Sequence, residues 1–200
     1  MPLQNRVLAT GEIIAHPARG MFMGNRGILH GDTRELGRKR WTHKAWVTCV
    51  LTHKDWHRVV MTSHRYTELF FLDEAVALAA GHRPCALCRR KDYDHYRQTA
   101  ELSGPAKDMD TQMHKERAHL RRFAQRRHQF DIATVPDGAV ILEKWPMLLW
   151  QGTLRPVTPE GYQQPLPKPK GIVTVLTPPT SLKALRTGYR PKLHPTLTGS

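Results

Sequence analysis

The stretch Gly81-His82-Arg83-Pro84-Cys85-Ala86-Leu87-Cys88 places two cysteines three positions apart in a chain that holds one other cysteine, Cys49. Such a Cys-x-x-Cys pair can bind zinc, act as a redox pair, or belong to an iron–sulfur site. The flanking residues favour zinc. Residues 73–80 predict a short helix that Asp73 caps and Gly81 ends, and Pro84 prevents helical continuation. The sequence therefore predicts a metal-binding turn between two helices.

Residues 70–89, FFLDEAVALAAGHRPCALCR, resemble the zinc-binding module of the Ada family. That module has an aromatic pair and a short Ala-rich helix, followed by Gly, an aromatic residue, Arg-Pro-Cys, two residues and Cys-Arg. The resemblance implies that Cys85 and Cys88 are zinc ligands and that the segment binds DNA. The family's upstream Cys-x-x-x-Cys, which includes its methyl-accepting thiolate, is missing here, so methyl transfer is not implied.

Structural zinc takes four ligands in a tetrahedron, and the Cys-x-x-Cys pair supplies two of them. Cys49 is the remaining thiol and the expected third ligand, although a core-facing position on a strand is an equally good interpretation of it. The fourth ligand is expected to be a histidine. His53 is placed in the ligand set, from a group of candidates that also includes His57, His64 and His82.

The charge of the chain favours an anionic polymer as partner, because 31 Lys and Arg residues stand against 17 Asp and Glu residues and give a net charge of +14. A third helix, within residues 106–128, is predicted to have one apolar face and one basic face. The cations expected to contact a phosphate backbone are Arg83, Arg89 and Arg90 beside the cysteines, and Lys115, Arg117, Arg121, Arg122 and Arg126 on this helix. The Ada resemblance makes DNA the expected nucleic acid rather than RNA.

The whole chain, residues 1–200, is predicted to form one compact α+β unit that contains antiparallel β structure. A zinc-stabilised helix-turn-helix and hairpin segment is expected over residues 41–102, with the hairpin in residues 46–61. A β meander with one short helix is expected over residues 129–190, and a loose tail over residues 191–200. The chain has no apolar run of membrane-spanning length and no signal-peptide pattern, so a cytoplasmic protein is expected.

The function expected from these features is DNA binding through the phosphate backbone, in repair or regulation, with zinc in a structural role. One alternative is a nuclease or repair enzyme in which His30, His114 and Glu116 act on the bound DNA. Another is repair of alkylated DNA by transfer of the alkyl group to a cysteine thiolate. The sequence leaves open whether the protein is an enzyme.

Overall fold

The computed structural model describes residues 1–54, 59–120 and 123–197, in which helices pack with two large sheets, so the predicted α+β class is confirmed. The first sheet has the strand order β2-β1-β5-β3-β4-β6. Its neighbours are antiparallel except for the pairs β1·β5 and β4·β6, which are parallel. The strands are β1 Gln4–Val7, β2 Ile13–Ala15, β3 Phe22–Asn25, β4 Val47–Cys49, β5 Leu69–Phe71 and β6 Arg83–Pro84.

The second sheet is antiparallel and has the strand order β13-β12-β11-β10-β15-β9, with β14 pairing with β12. Apolar residues alternate along its strands and face the helices, which forms the largest core cluster. The strands are β9 His128–Asp131, β10 Val140–Leu142, β11 Pro146–Trp150, β12 Thr153–Thr158, β13 Gly161–Tyr162, β14 Leu166–Pro167 and β15 Ile172–Val175.

Within the described ranges four α-helices accompany the sheets, namely α1 Glu74–Ala79, α2 Arg90–Thr99, α3 Ala106–Arg117 and α4 Pro179–Arg186. Every residue of α1 is buried, because the second sheet packs on one side of it and the first sheet on the other. This double burial explains why the helix is apolar on every side after its first residue, Glu74. No helix among the described residues is long and apolar enough to cross a bilayer.

The predicted boundaries of α1 agree with the structure. The Asp73 carboxylate accepts a hydrogen bond of 3.0 Å from the Val76 backbone N–H, which caps the first turn. Gly81 follows the helix with φ at +83°, in the left-handed region. A Cβ atom at Gly81 would also lie 2.6 Å from Cδ of Arg117, so this position requires glycine for two reasons.

The hairpin expected in residues 46–61 is not formed in the part of the chain that the structure describes. Strand β4 pairs with β3 on one edge and with β6 on the other, so neither edge is free for a hairpin partner. Residues 59–61 are not in a strand, and residues 55–58 lie outside the described ranges.

The predicted basic helix is shorter than residues 106–128, because α3 ends at Arg117 and the chain turns into β7 Ala118–His119 and β8 Ala124–Gln125. Ala118 is buried and takes an extended conformation, with φ at −128° and ψ at 133°. The Arg126 N–H donates to the Arg117 carbonyl at 2.9 Å and closes the short hairpin. The prediction took the run of basic residues as one face of a single long helix. The charge of these residues does not show where the helix ends.

The segment 191–197 is held in place, in contrast to the expected loose tail. Its backbone reaches the two carboxylates at the start of α1: the Lys192 N–H donates to Glu74 at 2.9 Å, and the His194 N–H donates to Asp73 at 3.0 Å. Leu197 is buried against the second core cluster. Residues 198–200 lie outside the described ranges.

Glu74 holds the start of α1 to α2 and to the C-terminal segment. Its Oε1 accepts from Nη2 of Arg89 at 2.6 Å and from the hydroxyl of Tyr189 at 2.6 Å, and the Glu74 and Arg89 side chains are each 1% exposed. Burial raises the pKa of Tyr189, and the adjacent Glu74 charge adds to that effect, so the hydroxyl stays a donor. A buried pair of this kind is costly to break, because the Arg89 guanidinium is buried and would keep only the partly exposed Asp92, at 2.7 Å, as its ion-pair partner among the described residues.

We therefore expect Glu74→Gln to lower the free energy of unfolding by about 3 kcal/mol, since it leaves the Arg89 guanidinium less well paired in the core. Urea unfolding followed by circular dichroism measures the loss. Glu101→Gln is the control: Glu101 pairs with Lys183 at 2.6 Å on the surface, and its loss should cost less than about 1 kcal/mol. Equal losses in the two variants would contradict the role given to Glu74.

Candidate metal centre and aromatic pocket

The three cysteines come together because β4 and β6 run side by side in the same direction. Val47 pairs with Arg83 and Thr48 with Pro84, so Cys49 and Cys85 follow at the same end of the two strands. The Cys85 N–H donates to the Thr48 carbonyl at 3.0 Å and fixes this end. The turn before α2 then returns Cys88 to the same place, and the three Sγ atoms lie within 4.8 Å of one another. The group could hold a metal ion.

Hydrogen bonds within the cluster favour one thiolate. The Cys49 and Cys88 thiols donate to Cys85, and with the Leu87 N–H, whose nitrogen lies 3.4 Å from the Cys85 Sγ, they lower the pKa of Cys85 to about 2. The same contact with Cys85 raises the pKa of Cys49. A second and a third thiolate at this spacing would need a cation to offset their repulsion, as a bound divalent metal does.

A pocket of about 320 Å³ opens onto the cluster and is lined by all three cysteines and by His53. The other candidate histidines lie elsewhere. His64 is exposed and lies 3.4 Å from the Asp32 carboxylate, and His82 is buried, with its Nε2 3.3 Å from Nε of Arg26. His57 falls outside the described residues. His53 is therefore the described candidate that shares a pocket with the cysteines, although among the described residues only the three thiols lie close enough together to hold a metal ion.

Three of the cations expected to contact phosphate are instead buried within the protein. Arg83 forms a two-bond pair with the Asp110 carboxylate, at 2.7 and 2.8 Å. Arg89 pairs with Glu74, as described above. Arg117 is 0% exposed and donates to the carbonyls of Gly81 and Lys44. The prediction was wrong for these three because their partners are distant in sequence, and a buried guanidinium cannot reach a phosphate at the surface.

The remaining predicted cations differ in their surroundings. Arg90 is exposed and pairs with Asp94 at 2.9 Å, one helical turn away. Lys115 and Arg126 are exposed, and neither forms an ion pair with a described residue. Arg121 and Arg122 lie outside the described ranges.

A larger pocket, of about 650 Å³, lies beside Trp46. Trp46 directly precedes β4, so it lies at the opposite end of the β4·β6 pair from the cysteines. Trp46 is buried at the centre of a cationic and aromatic cluster, with the guanidinium carbons of Arg26 and Arg117 4.2 and 4.4 Å from its ring. Trp41 packs against the Trp46 ring with centroids 5.3 Å apart. Residues lining the pocket include Gly11, Glu12, Arg26, Arg40, Trp41, Trp46, Phe123, Gln125 and Arg127. We call this the aromatic pocket.

The two buried arginines at the aromatic pocket lack an ion-pair partner among the described residues. Arg26 donates to the carbonyls of Gly11 and Ala80 and to His82, and Arg117 donates to carbonyls only. Burial lowers the pKa of each to about 9, and in Arg26 repulsion from Arg117 adds to the effect, so both are charged at neutral pH. Burial lowers the pKa of the neighbouring His114 to about 4, so this ring is neutral. The site is therefore cationic.

Each of the three residues considered for catalysis contacts different groups of the protein. The His30 ring contacts the Thr67 hydroxyl at 2.6 Å and the Thr62 carbonyl at 3.1 Å. His114 packs edge-on against Trp41 and Trp46. The Glu116 carboxylate accepts from the backbone N–H and the hydroxyl of Thr180, at the start of α4, which is a helix-capping role.

Sequence reasoning missed the aromatic pocket, although a signal for it exists. Residues 38–46, RKRWTHKAW, alternate cationic and aromatic side chains in the manner of nucleic-acid-binding segments. Tryptophan is commonly a core residue, so this segment by itself does not indicate a pocket. Trp46 is indeed buried, whereas Trp41 is half-buried and lines the pocket.

Comparison of the chain with protein-family models, with curated proteins and with solved structures finds no match in any of the three.

If the three cysteines and His53 hold a metal, the purified protein should contain one equivalent of zinc, measured by elemental analysis. Cys49→Ser, Cys85→Ser and Cys88→Ser should each abolish binding, and His53→Ala should weaken it by about tenfold or more, since four ligands complete a structural site. His64→Ala removes an exposed histidine and serves as the control. A metal content that survives Cys49→Ser would remove Cys49 from the site, and a chain purified without metal would refute it.

Proposed function

We propose that this protein is a zinc-stabilised nucleic-acid-binding protein, with DNA as the favoured polymer and a role in repair or regulation. The single observation that carries the proposal is a set of surface cations without ion-pair partners, displayed next to a strand pair that ends in a three-cysteine cluster. The two parts have separate physical support.

Zinc is supported by the chemistry of the three ligands. Thiolates are soft ligands, and sites with three or four cysteine and histidine ligands are typical of structural zinc. Strand β6 has two residues, so a metal bound between Cys49 and Cys85 would cross-link a short pairing that has little apolar area of its own. Zinc binding would then contribute directly to the stability of this part of the fold.

Phosphate binding is supported by a group of cations that we call the basic rim. Arg40 and Arg127 line the aromatic pocket, and the other members are exposed residues of the same two chain segments. None of them forms an ion pair with a described residue, whereas Arg90, Lys183 and Lys192 do. The basic rim consists of Arg38, Lys39, Arg40, Lys44, Arg126 and Arg127.

The proposed mechanism is electrostatic. Cations that are not neutralised within the protein gain free energy when they displace the counterions condensed on a nucleic acid, and arginine forks suit phosphate oxygens. Contacts to phosphate set position without reading the base sequence. Binding should therefore depend steeply on salt, discriminate weakly between sequences and leave the polymer intact.

The test is an anisotropy titration of a labelled DNA duplex at several salt concentrations. The double variant Arg126→Gln/Arg127→Gln should lower the slope of log affinity against log salt by about two units, because about one counterion is released for each phosphate contact. Gel analysis of the same samples should show uncut DNA, with or without added Mg²⁺.

Lys168→Gln/Lys170→Gln is the matched control, since it removes the same charge from the segment between β14 and β15. Equal effects of the two double variants would show that only the net charge matters. Absence of binding at low salt would end the proposal, and cleavage of the duplex would replace it with an enzymatic function.

A further inference from the structure

We propose that the aromatic pocket is a binding site for a single nucleotide, which stacks its base on Trp41 and binds its phosphate between Arg40 and Arg127, with a preference for bases that carry an amino group. The inference rests on the proposed function for the source of the ligand, a nucleotide within a strand, but the same chemistry suits a free nucleotide.

The positive charge of the pocket favours an anionic ligand. Arg26 is 2% exposed and lines the pocket, and both Arg26 and Arg117 lie against the Trp46 ring. No described carboxylate forms an ion pair with either arginine. Among the described residues that line the pocket, Glu12 is the one acidic residue, beside Arg26, Arg40 and Arg127. A buried charge without an ion-pair partner is unfavourable, so a bound anion would offset part of that cost.

The aromatic side chains that line the pocket favour a planar ligand. Trp41 is half-buried, contacts Trp46 and lies in T-shaped contact with Phe123 at 4.9 Å between ring centroids, so part of its surface remains open to the pocket. Aromatic side chains of this kind stack with nucleobases whatever their sequence. The volume of about 650 Å³ lies within the range of small-molecule sites and leaves room for a base, a sugar and a phosphate.

Gln125 supplies a polar group suited to recognising the base. Its Nε2 donates to the carbonyls of Ala79 and Leu176, which fixes the orientation of the amide. Its Oε1 is buried and has no hydrogen-bond partner among the described residues, although the side chain lines the pocket. A buried acceptor without a donor is unfavourable, and the exocyclic amino group of adenine or cytosine is such a donor.

The position of the pocket connects it to the basic rim. Arg40 and Arg127 belong to both, so a strand held by its phosphates along the rim would pass the pocket mouth. A base unstacked from such a strand could enter the pocket while the neighbouring phosphates keep their contacts. A pocket with this ligand gives the protein a preference for single-stranded or distorted nucleic acid.

The experiment is isothermal calorimetry of the 200-residue chain, as purified, with four probes: adenosine monophosphate, inosine monophosphate, adenosine and inorganic phosphate. Adenosine monophosphate should bind, and adenosine and phosphate should each bind at least about tenfold more weakly, because each lacks one half of the recognised group. Inosine monophosphate, which lacks the amino group, should also bind about tenfold more weakly.

Trp41→Leu and Arg127→Gln should each lower the affinity for adenosine monophosphate by about tenfold or more. Trp145→Leu is the matched control, because Trp145 is 47% exposed and does not line the pocket. Arg40→Gln is a further variant at a half-buried position that lines the pocket, should Trp41→Leu fold poorly. Circular dichroism checks the fold of each variant.

The outcomes separate this inference from the proposed function. Binding of the mononucleotide without binding of DNA supports a free-nucleotide site and ends the proposed function. Binding of a single-stranded oligonucleotide that weakens in Trp41→Leu, but not in Trp145→Leu, supports a strand nucleotide as the ligand. Oligonucleotide binding that is unchanged in Trp41→Leu, with no heat from the mononucleotide at about 1 mM, overturns the pocket and leaves the proposed function standing. Equal affinity for the adenosine and inosine monophosphates overturns the role of Gln125.

Discussion

The parallel pairing of β4 with β6 is the constraint on which both sites depend. Its register brings Cys49 beside Cys85 at one end and Trp46 beside His82 at the other, where the ring centroids are 5.5 Å apart. A shift of one residue would turn each side chain to the opposite face of the sheet and separate both pairs. Strand β6 is too short to hold its register through many hydrogen bonds, so a metal bridge between Cys49 and Cys85 would act where the pairing is weakest.

Helix α1 is the second element that organises the fold, because it lies between the two sheets. Its six residues are all buried, and the residue after its C-cap, Gly81, leaves space for the Arg117 side chain. The same glycine therefore ends the helix and admits one of the two guanidinium groups that lie against Trp46. The aromatic pocket arises from what the rest of the chain packs around this helix.

The parts of the structure that local signals determine could be predicted from the sequence. Asp73 as an N-cap and Gly81 as a C-terminal stop are decided within a few residues, and both predictions were confirmed. The fate of the arginines is decided at long range: Arg83 is buried because Asp110 lies 27 positions away in the chain but 2.7 Å away in space. Cys49 could be predicted to lie near the cysteine pair because it is the one other cysteine in the sequence. The parallel register that brings it there has no local signature in the sequence.

The attachment of residues 189–194 to α1 constrains when the protein can fold. Asp73 and Glu74 accept hydrogen bonds from Tyr189, Lys192 and His194, which follow them by 115 to 121 positions in the chain. During synthesis the nascent chain therefore carries two carboxylates that cannot be buried with their full set of partners. The central helix can dock with all of these contacts only after residues 189–194 have been synthesised, so folding of the α1 region depends on contacts between distant parts of the sequence.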